Sequence, residues 1–327
     1  MLPKTMRTIE IREPGGPEVL EQGTRPLPEF GDNQVLVRVA AAGINGPDQM
    51  QRRGLYPPPP GASDLLGLEV SGEVVAVGSS VQRWKTGDQI CALTNGGGYA
   101  EFVAIDADHC LAIPKGVDLI EAAGLPETFF TVWSNCFLDH TPKNDDLFLV
   151  HGGAGGIGST AVQLGKLMGM RVFTTVSNEE AAQFCMSLGA NKTINYKSED
   201  FVEITREAGS ANMILDIVGG EYIARNIKAC ASDARIIQLA FRQGSKVDIN
   251  LMPIMLKRLT LTGSTLRSRP PEFKARIAAD LEKRVWSHFE TGKLKTVLHK
   301  TFSFEKVVDA HTMMDASKHR GKILLTT

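Results

Sequence analysis

The apolar positions of this chain follow two different rhythms. Over residues 1–120, short β-branched blocks alternate with Gly and Pro: QVLVRVAAAGIN (34–45), EVSGEVVAVG (69–78), DQICAL (88–93) and YAEFVAI (99–105). Turn signals recur about every ten residues, the spacing of a β-sandwich or barrel. The run YPPPPG (56–61) is excluded from a central strand, because proline lacks the N–H that a ladder needs; it reads as a stiff surface loop.

From residue 124 the rhythm changes. Apolar blocks at LFLV (147–150), RVFTTV (171–176), KTINY (192–196), MILDIV (213–218), RIIQLA (235–240) and LTLTGS (259–264) alternate with helical patterns such as STAVQLGKLMG and EEAAQFCMSLG. Strands that alternate with helices in this way predict an α/β unit built on a doubly wound parallel sheet. After residue 270 come a charged helix, PEFKARIAADLEKRVWSHFE, a second helical pattern, EKVVDAHTMMDASKH, and a closing strand, KILLTT.

The first block of the second part runs into glycines: LFLVHGGAGGIGST matches G-x-G-x-x-G at Gly153, Gly155 and Gly158, with Gly156 and Ile157 inside the turn. The pattern is weak alone but gains meaning between a strand and a helix. The first glycine permits a tight turn, the second a close approach to a pyrophosphate, the third close packing of helix on strand. The helix N-terminus then faces the phosphates with unpaired N–H groups. A triphosphate loop would need lysine where Ser159 stands, so that reading is set aside. An acidic residue about 20 positions past the loop commonly grips the ribose of NAD. Here that place holds Ser177, small and neutral, which favours NADPH over NADH; Glu179 and Glu180 argue the other way unless they are ordinary first-turn helix residues. Ala240 and Phe241 end a strand of the sheet, where a cofactor crevice opens.

Composition narrows the partners. The 327 residues favour two domains, and 43% hydrophobic with 22% charged residues is ordinary for a globular enzyme. A net charge of −1 gives no electrostatic footprint for nucleic acid. Five scattered cysteines without a Cys-x-x-Cys pair fit a reducing compartment. No apolar run approaches the roughly 20 residues of a membrane span, and the N-terminus lacks the apolar core of a signal peptide. A cytoplasmic protein without membrane or nucleic-acid partners is therefore expected.

Taken together, GGPEVLE (15–21), GINGPDQMQRRGLYPPPPG (43–61), LGLEVSGEVVAVG (66–78), WKTGDQICAL (84–93), GGYAEFV (97–103), GGAGGIG (152–158), LGANKTINYKSEDF (188–201), LDIVGG (215–220), GSTLRSR (263–269) and GKILL (321–325) resemble the zinc-independent medium-chain dehydrogenases/reductases of the quinone oxidoreductase (zeta-crystallin-like) family. The resemblance runs nearly end to end, with residues 1–5 a possible extension. It implies a Rossmann nucleotide domain (124–265) inserted into a GroES-like β-barrel substrate domain (1–123 and 266–327), an active site in the cleft between domains, and a homodimer formed through edge pairing of LTLTGS.

Zinc-dependent relatives carry Cys where this chain has Asn45 and His where it has Leu68, and the cysteine expected in PETFF is absent. Leucine cannot ligate a metal and asparagine is a poor zinc ligand, so no metal is expected. Without a Lewis acid to stabilise an alkoxide, the natural hydride acceptors bear the charge themselves: a quinone, or next an activated alkene. The resemblance places Asn45 near the nicotinamide ribose or substrate, and Tyr56 in the substrate cleft, where its hydroxyl suits a developing oxyanion. It makes Thr131, beside Glu127 where the nucleotide domain begins, a cofactor contact. It sets Tyr196 against the adenosine phosphate, and Leu266 and Arg267 near the nicotinamide. The family lysine for the 2′-phosphate falls at Ala181, so Lys318, Arg320 or Lys322 would have to compensate. Asp216 reads as a structural acid. The expected activity is NADPH-dependent quinone reduction. The alternatives are enoyl-thioester or alkenal reduction, and a non-catalytic dinucleotide-binding role.

Overall fold

The computed structural model describes residues 2–327. The chain forms two compact units, one made of residues up to Phe130 together with Arg267–Thr327, the other of Thr131–Leu266.

In the first unit the strand Gln34–Gly43 is central. It pairs antiparallel with Glu69–Val77, with Phe102–Asp106 and with Lys322–Thr326, so the end of the chain is knitted into the sheet begun by its first third. Three partners leave this strand little contact with water, which explains its nearly unbroken apolar run. Val35, Val37, Val39, Val70, Val74, Ile90, Ile323 and Leu325 share one buried core. The sequence rhythm did not reveal Thr5–Ile11, Leu20–Pro26 or Leu298–Ser303 as strands. The first two form a separate hairpin and the third is an edge strand, so none buries two faces and their polar positions hide the period of two. The expected helix over 271–290 is interrupted: Pro271–Arg284 ends before Ser287–Glu290. Between them Trp286 donates its indole N–H to the Ala112 carbonyl at 2.7 Å and stacks edge-on against Phe129.

A polar network lies inside this unit. The Arg52 side chain is fully buried, its guanidinium 2.7 Å from Asp315 and donating to the Gly15 carbonyl. It also lies 3.0 Å from His311 Nδ1, which must therefore accept and leaves Nε2–H for the Tyr99 hydroxyl at 3.1 Å.

The second unit is a six-stranded, all-parallel sheet. Its spatial order is Lys192–Asn195, Arg171–Val176, Leu147–His151, Ala211–Asp216, Cys230–Gln238, Thr260–Gly263. In chain order these are strands 3-2-1-4-5-6, the doubly wound arrangement whose direction of winding reverses between the first and fourth strands. The glycine turn follows the first strand at that reversal. Asp216 ends the fourth strand, accepting from Val218 N (2.6 Å), Gly219 N (3.0 Å) and Asn226 Nδ2 (2.9 Å). His151 completes the network at 2.8 Å from Asn226 Oδ1. Asp216 is thus the structural acid the sequence suggested.

Burial, and then the Arg52 charge, hold the His311 imidazole down at about 3. A free imidazole titrates near 6.5, so the unfolded chain takes up this proton first as pH falls. The neutral folded form is favoured above about pH 6.5, and its stability is lost progressively toward pH 3. Equilibrium denaturation of wild type against His311→Gln is expected to show an extra slope of about 1.4 kcal/mol per pH unit in that window, present only in wild type.

Candidate active site

The glycine turn of the second unit is built by exclusion. A Cβ on Gly153 would overlap the Thr174 hydroxyl, which is already committed to the Val150 carbonyl at 2.7 Å. A Cβ on Gly158 would overlap the Gly152 carbonyl oxygen and lie 2.6 Å from Gly153 Cα. Gly155 differs: its Cβ would meet nothing nearer than the Gly152 oxygen at 3.8 Å. Two glycines are thus required by packing, and the third leaves room for a ligand. Gly155 also caps the helix Gly156–Leu167, whose first turn carries no acidic residue. Its free N–H groups make a cradle for an anionic pyrophosphate.

Apart from Thr131, the other residues singled out in this unit follow the carboxyl ends of its strands. Ser177 follows Arg171–Val176, half-buried, its Oγ accepting from Asn178 Nδ2 at 3.2 Å. Asn178 caps the next helix by accepting from Ala181 N at 2.9 Å. Glu179 and Glu180 are indeed first-turn residues, and Glu179 receives Gln183 of its own helix at 3.2 Å. Tyr196 sits at the end of the neighbouring strand, its N–H on the Val176 carbonyl, its ring exposed. Ala240 and Phe241 lie beyond Cys230–Gln238, with Phe241 exposed beside Gly219. Thr131 is half-buried within the helix Pro126–Cys136, and Leu266 is buried.

In the first unit, Asn45 caps the short helix Gly46–Arg52. Its amide N–H donates to Glu69 Oε1 at 2.8 Å, and its Oδ1 accepts from the Lys322 ammonium at 2.5 Å. That ammonium also lies 2.6 Å from Glu69 Oε1 and donates to the Ile44 carbonyl at 3.2 Å. The second Glu69 oxygen accepts the Glu127 backbone N–H at 2.8 Å. Glu69 is completely buried, so the pair depends on these additional hydrogen bonds to offset desolvation. Asp48 accepts from Asn45 N at 2.8 Å and Gly67 N at 3.0 Å, and burial pushes its carboxyl up to about 6.

Arg267 lies 5.7 Å from the centre of the half-buried Tyr56 ring. It is no solvated charge: buried, it donates to Gln51 Oε1 (2.6 Å), to the Asn95 carbonyl (2.8 and 3.0 Å) and to the Ser63 carbonyl. Burial raises the Tyr56 phenol above its ordinary value, so it stays protonated at neutral pH and able to donate. The structure therefore joins Asn45 with Lys322, and Tyr56 with Arg267. Lys322 requires a correction: the sequence offered it as a compensating partner for a cofactor phosphate, yet its ammonium is held by Glu69, Asn45 and Ile44. Glu69, Asp48 and Lys274 escaped the sequence reading. Glu69 left one signal, an acid opening the apolar strand VSGEVVAV, where only a buried cation makes it tolerable.

Residues 156–282 match the zinc-binding dehydrogenase family, and residues 31–115 match the alcohol dehydrogenase GroES-like domain. Quinone oxidoreductase of Rattus norvegicus is 30% identical over 329 residues, covering 98% of each chain. The chain belongs to the quinone oxidoreductase family. Among solved structures, Escherichia coli quinone oxidoreductase complexed with NADPH is 26% identical, spans 98% of this chain and 100% of that one, and superposes with a TM-score of 0.86. CurK enoyl reductase is 25% identical, spans 99% of each chain and reaches the same TM-score. The two positions at which zinc-dependent relatives carry Cys and His are filled differently in this quinone oxidoreductase family member. Leu68 is buried and apolar, and Asn45 is already bound to an ammonium.

The glycines separate packing from binding. Gly158→Ala is expected to lower Tm by several degrees and to weaken dinucleotide binding, because its Cβ meets backbone. Gly155→Ala should leave Tm within about a degree of wild type while raising the NADPH Kd roughly tenfold or more, since it alters only the ligand side. Differential scanning fluorimetry and NADPH fluorescence titration read the two effects.

Proposed function

We propose that this protein is an NADPH-dependent quinone oxidoreductase. The reading rests on the Lys322 ammonium seated between Asn45 and Glu69. A second cation beside it would face like-charge repulsion and find those acceptors taken. Alcohol oxidation needs a group that stabilises the alkoxide, usually a Lewis acid; a quinone accepts a hydride as an aromatic phenolate and bears the charge itself.

The dinucleotide fits what the chain provides. Gly156, Ile157 and Gly158 offer backbone N–H groups for the pyrophosphate, Gly155 leaves its approach bare, and Gly153 closes the turn. Ser177 and Tyr196, at adjacent strand ends, flank the adenosine phosphate. Ser177 is neutral and Glu179 is engaged along its own helix, which favours a 2′-phosphorylated ribose. Thr131, Ala240, Phe241 and Leu266 complete the cofactor contacts of their unit. Bound nicotinamide supplies a hydride. The Tyr56 hydroxyl donates a hydrogen bond to the substrate oxygen as charge develops there, and Arg267, anchored by Gln51 and Asn95, steadies the Tyr56 ring. Asn45 orients the reacting groups from a position fixed by Glu69 and Lys322.

The second reading, enoyl-thioester or alkenal reduction, is favoured by the same protonated Tyr56 and by the likeness to CurK enoyl reductase. NADPH oxidation by an ortho-quinone, a 2-enoyl thioester and NADH controls, with and without chelator, separates them. Fast, chelator-resistant NADPH loss with the quinone is expected, and Tyr56→Phe should lower kcat/KM about tenfold or more. Turnover of the thioester alone would move the function to enoyl reduction.

The protein also fits a cytoplasmic homodimer that binds neither nucleic acid nor membrane. Among the described residues no helix is long and apolar enough to cross a membrane, and the five cysteines are free and buried. Thr260–Gly263 is an edge strand, and Leu251, Met252, Met255, Leu256 and Leu261 beside it are exposed. An exposed apolar edge of this kind suits pairing with a second copy. Light scattering is expected to give twice the 35.5 kDa chain mass, and Leu261→Lys to give the monomer; a wild-type monomer at working concentration overturns the dimer.

A further inference from the structure

We infer that His151 is a positioning residue for the dinucleotide, the middle link of a one-way chain of buried hydrogen bonds that holds the two loops of the cofactor crevice in register. The inference rests on the dinucleotide reading above and deepens it. Every residue in it belongs to the second unit.

Four side chains make the chain: Asp216, Asn226, His151 and Thr175, each of them buried. They come from the end of the fourth strand, from the helix Tyr222–Ala229, from the end of the first strand and from the second strand. Direction is set at Asp216. Its Oδ1 accepts from the Val218 and Gly219 N–H groups, and its Oδ2 meets the Asn226 amide at 2.9 Å. A carboxylate accepts only, so the amide turns its nitrogen to Asp216 and its oxygen to His151. His151 Nε2, 2.8 Å from that oxygen, must then carry the ring proton. Burial holds the imidazole below its ordinary titration range and keeps it neutral, so Nδ1 is a bare acceptor. Nδ1 receives the Thr175 hydroxyl at 3.2 Å. With its proton committed there, the Thr175 oxygen accepts the Gly152 N–H at 3.1 Å.

Gly152 is where the chain reaches the ligand side. It opens the glycine turn in the left-handed region, at a φ of 73°, and its carbonyl accepts the Gly155 N–H at 3.3 Å. Gly155 caps the helix whose first N–H groups form the anion cradle. The other end of the network, at Asp216, fixes the loop after the fourth strand. These two loops follow the strands between which the winding reverses, where a doubly wound sheet takes its dinucleotide. A neutral His151 of one tautomer thus couples both walls. With the chain cut, the turn loses its fixed orientation and binding must supply the ordering. The ring has a second, separable part: it packs edge-on against Phe201 and Tyr222, with centroids 4.7 and 4.8 Å away.

That separation makes the test. His151→Phe keeps an aromatic ring and removes both ring hydrogen bonds; His151→Gln keeps one acceptor and one donor. NADPH fluorescence titration is expected to show Kd raised about tenfold in the Phe variant, and restored to within about threefold of wild type in the Gln variant. Thr175→Val cuts the next link without touching the ring and should weaken NADPH about as much. The double variant His151→Phe/Thr175→Val should be no weaker than the weaker single, because both cut one chain. Nitrogen NMR of isotope-labelled histidine, with the His151 signals identified by their loss in His151→Gln, should show Nε2 protonated and Nδ1 bare in the wild type at neutral pH. A Phe variant that binds NADPH as wild type does overturns the positioning role and leaves the dinucleotide site standing. So does a Gln variant as weak as Phe, an additive loss in the double variant, or a proton on Nδ1. If the Phe variant does not fold, Thr175→Val and the wild-type spectrum still decide. A folded wild type that binds no NADPH overturns both readings.

Discussion

The ammonium of Lys322 is the charge around which the first unit is organised. It enters on the last strand of the chain and meets Asn45 and Glu69, while Glu69 in turn accepts from the start of the helix at Glu127. Four chain segments far apart in sequence thus converge on one buried ion pair. Such a pair is a costly way to gain stability, because desolvation consumes most of the Coulombic attraction. Its value here is positional. Asn45, Glu69 and the Glu127 backbone are tied to one another and to Lys322 by hydrogen bonds, so none can move without leaving a buried polar group unpaired.

That commitment also sorts the acids by protonation. The cation satisfies Glu69 and none is left for Glu127, so burial drives Glu127 and, less far, Asp48 toward the neutral state. Beside them Tyr56 remains a phenol. The unit therefore presents hydrogen-bond donors where a metal-dependent relative would present a Lewis acid. This chemistry suits an acceptor that can carry negative charge through delocalisation.

The second unit works by a different constraint, the closeness of backbone to backbone. Gly153 and Gly158 are required because Thr174 and the Gly152 carbonyl occupy the space of their side chains; Gly155 is bare toward its open side. The turn lies at the reversal of the strand order, and the Asp216–Asn226–His151 network pins the neighbouring loop beneath it. A helix terminus held this firmly can receive a pyrophosphate without reorganising.

Much of this was legible in the residues. The change of apolar period near residue 124 announced the parallel sheet, the glycine spacing marked its phosphate turn, and Leu68 alone excluded one zinc ligand. These are local signals: period, turn chemistry and side-chain type are properties of a few adjacent residues. The edge strands, the break at Trp286 and the partner of Lys322 were not legible, because each depends on what another segment brings. Lys322 read as a free cation for a phosphate, since sequence records a charge but not its nearest counter-charge. The chain by itself determined the architecture and the place of the dinucleotide turn. Only the tertiary structure decided which acid keeps the cation and which keeps a proton, because burial and hydrogen-bond competition set that balance between residues 69, 127 and 322.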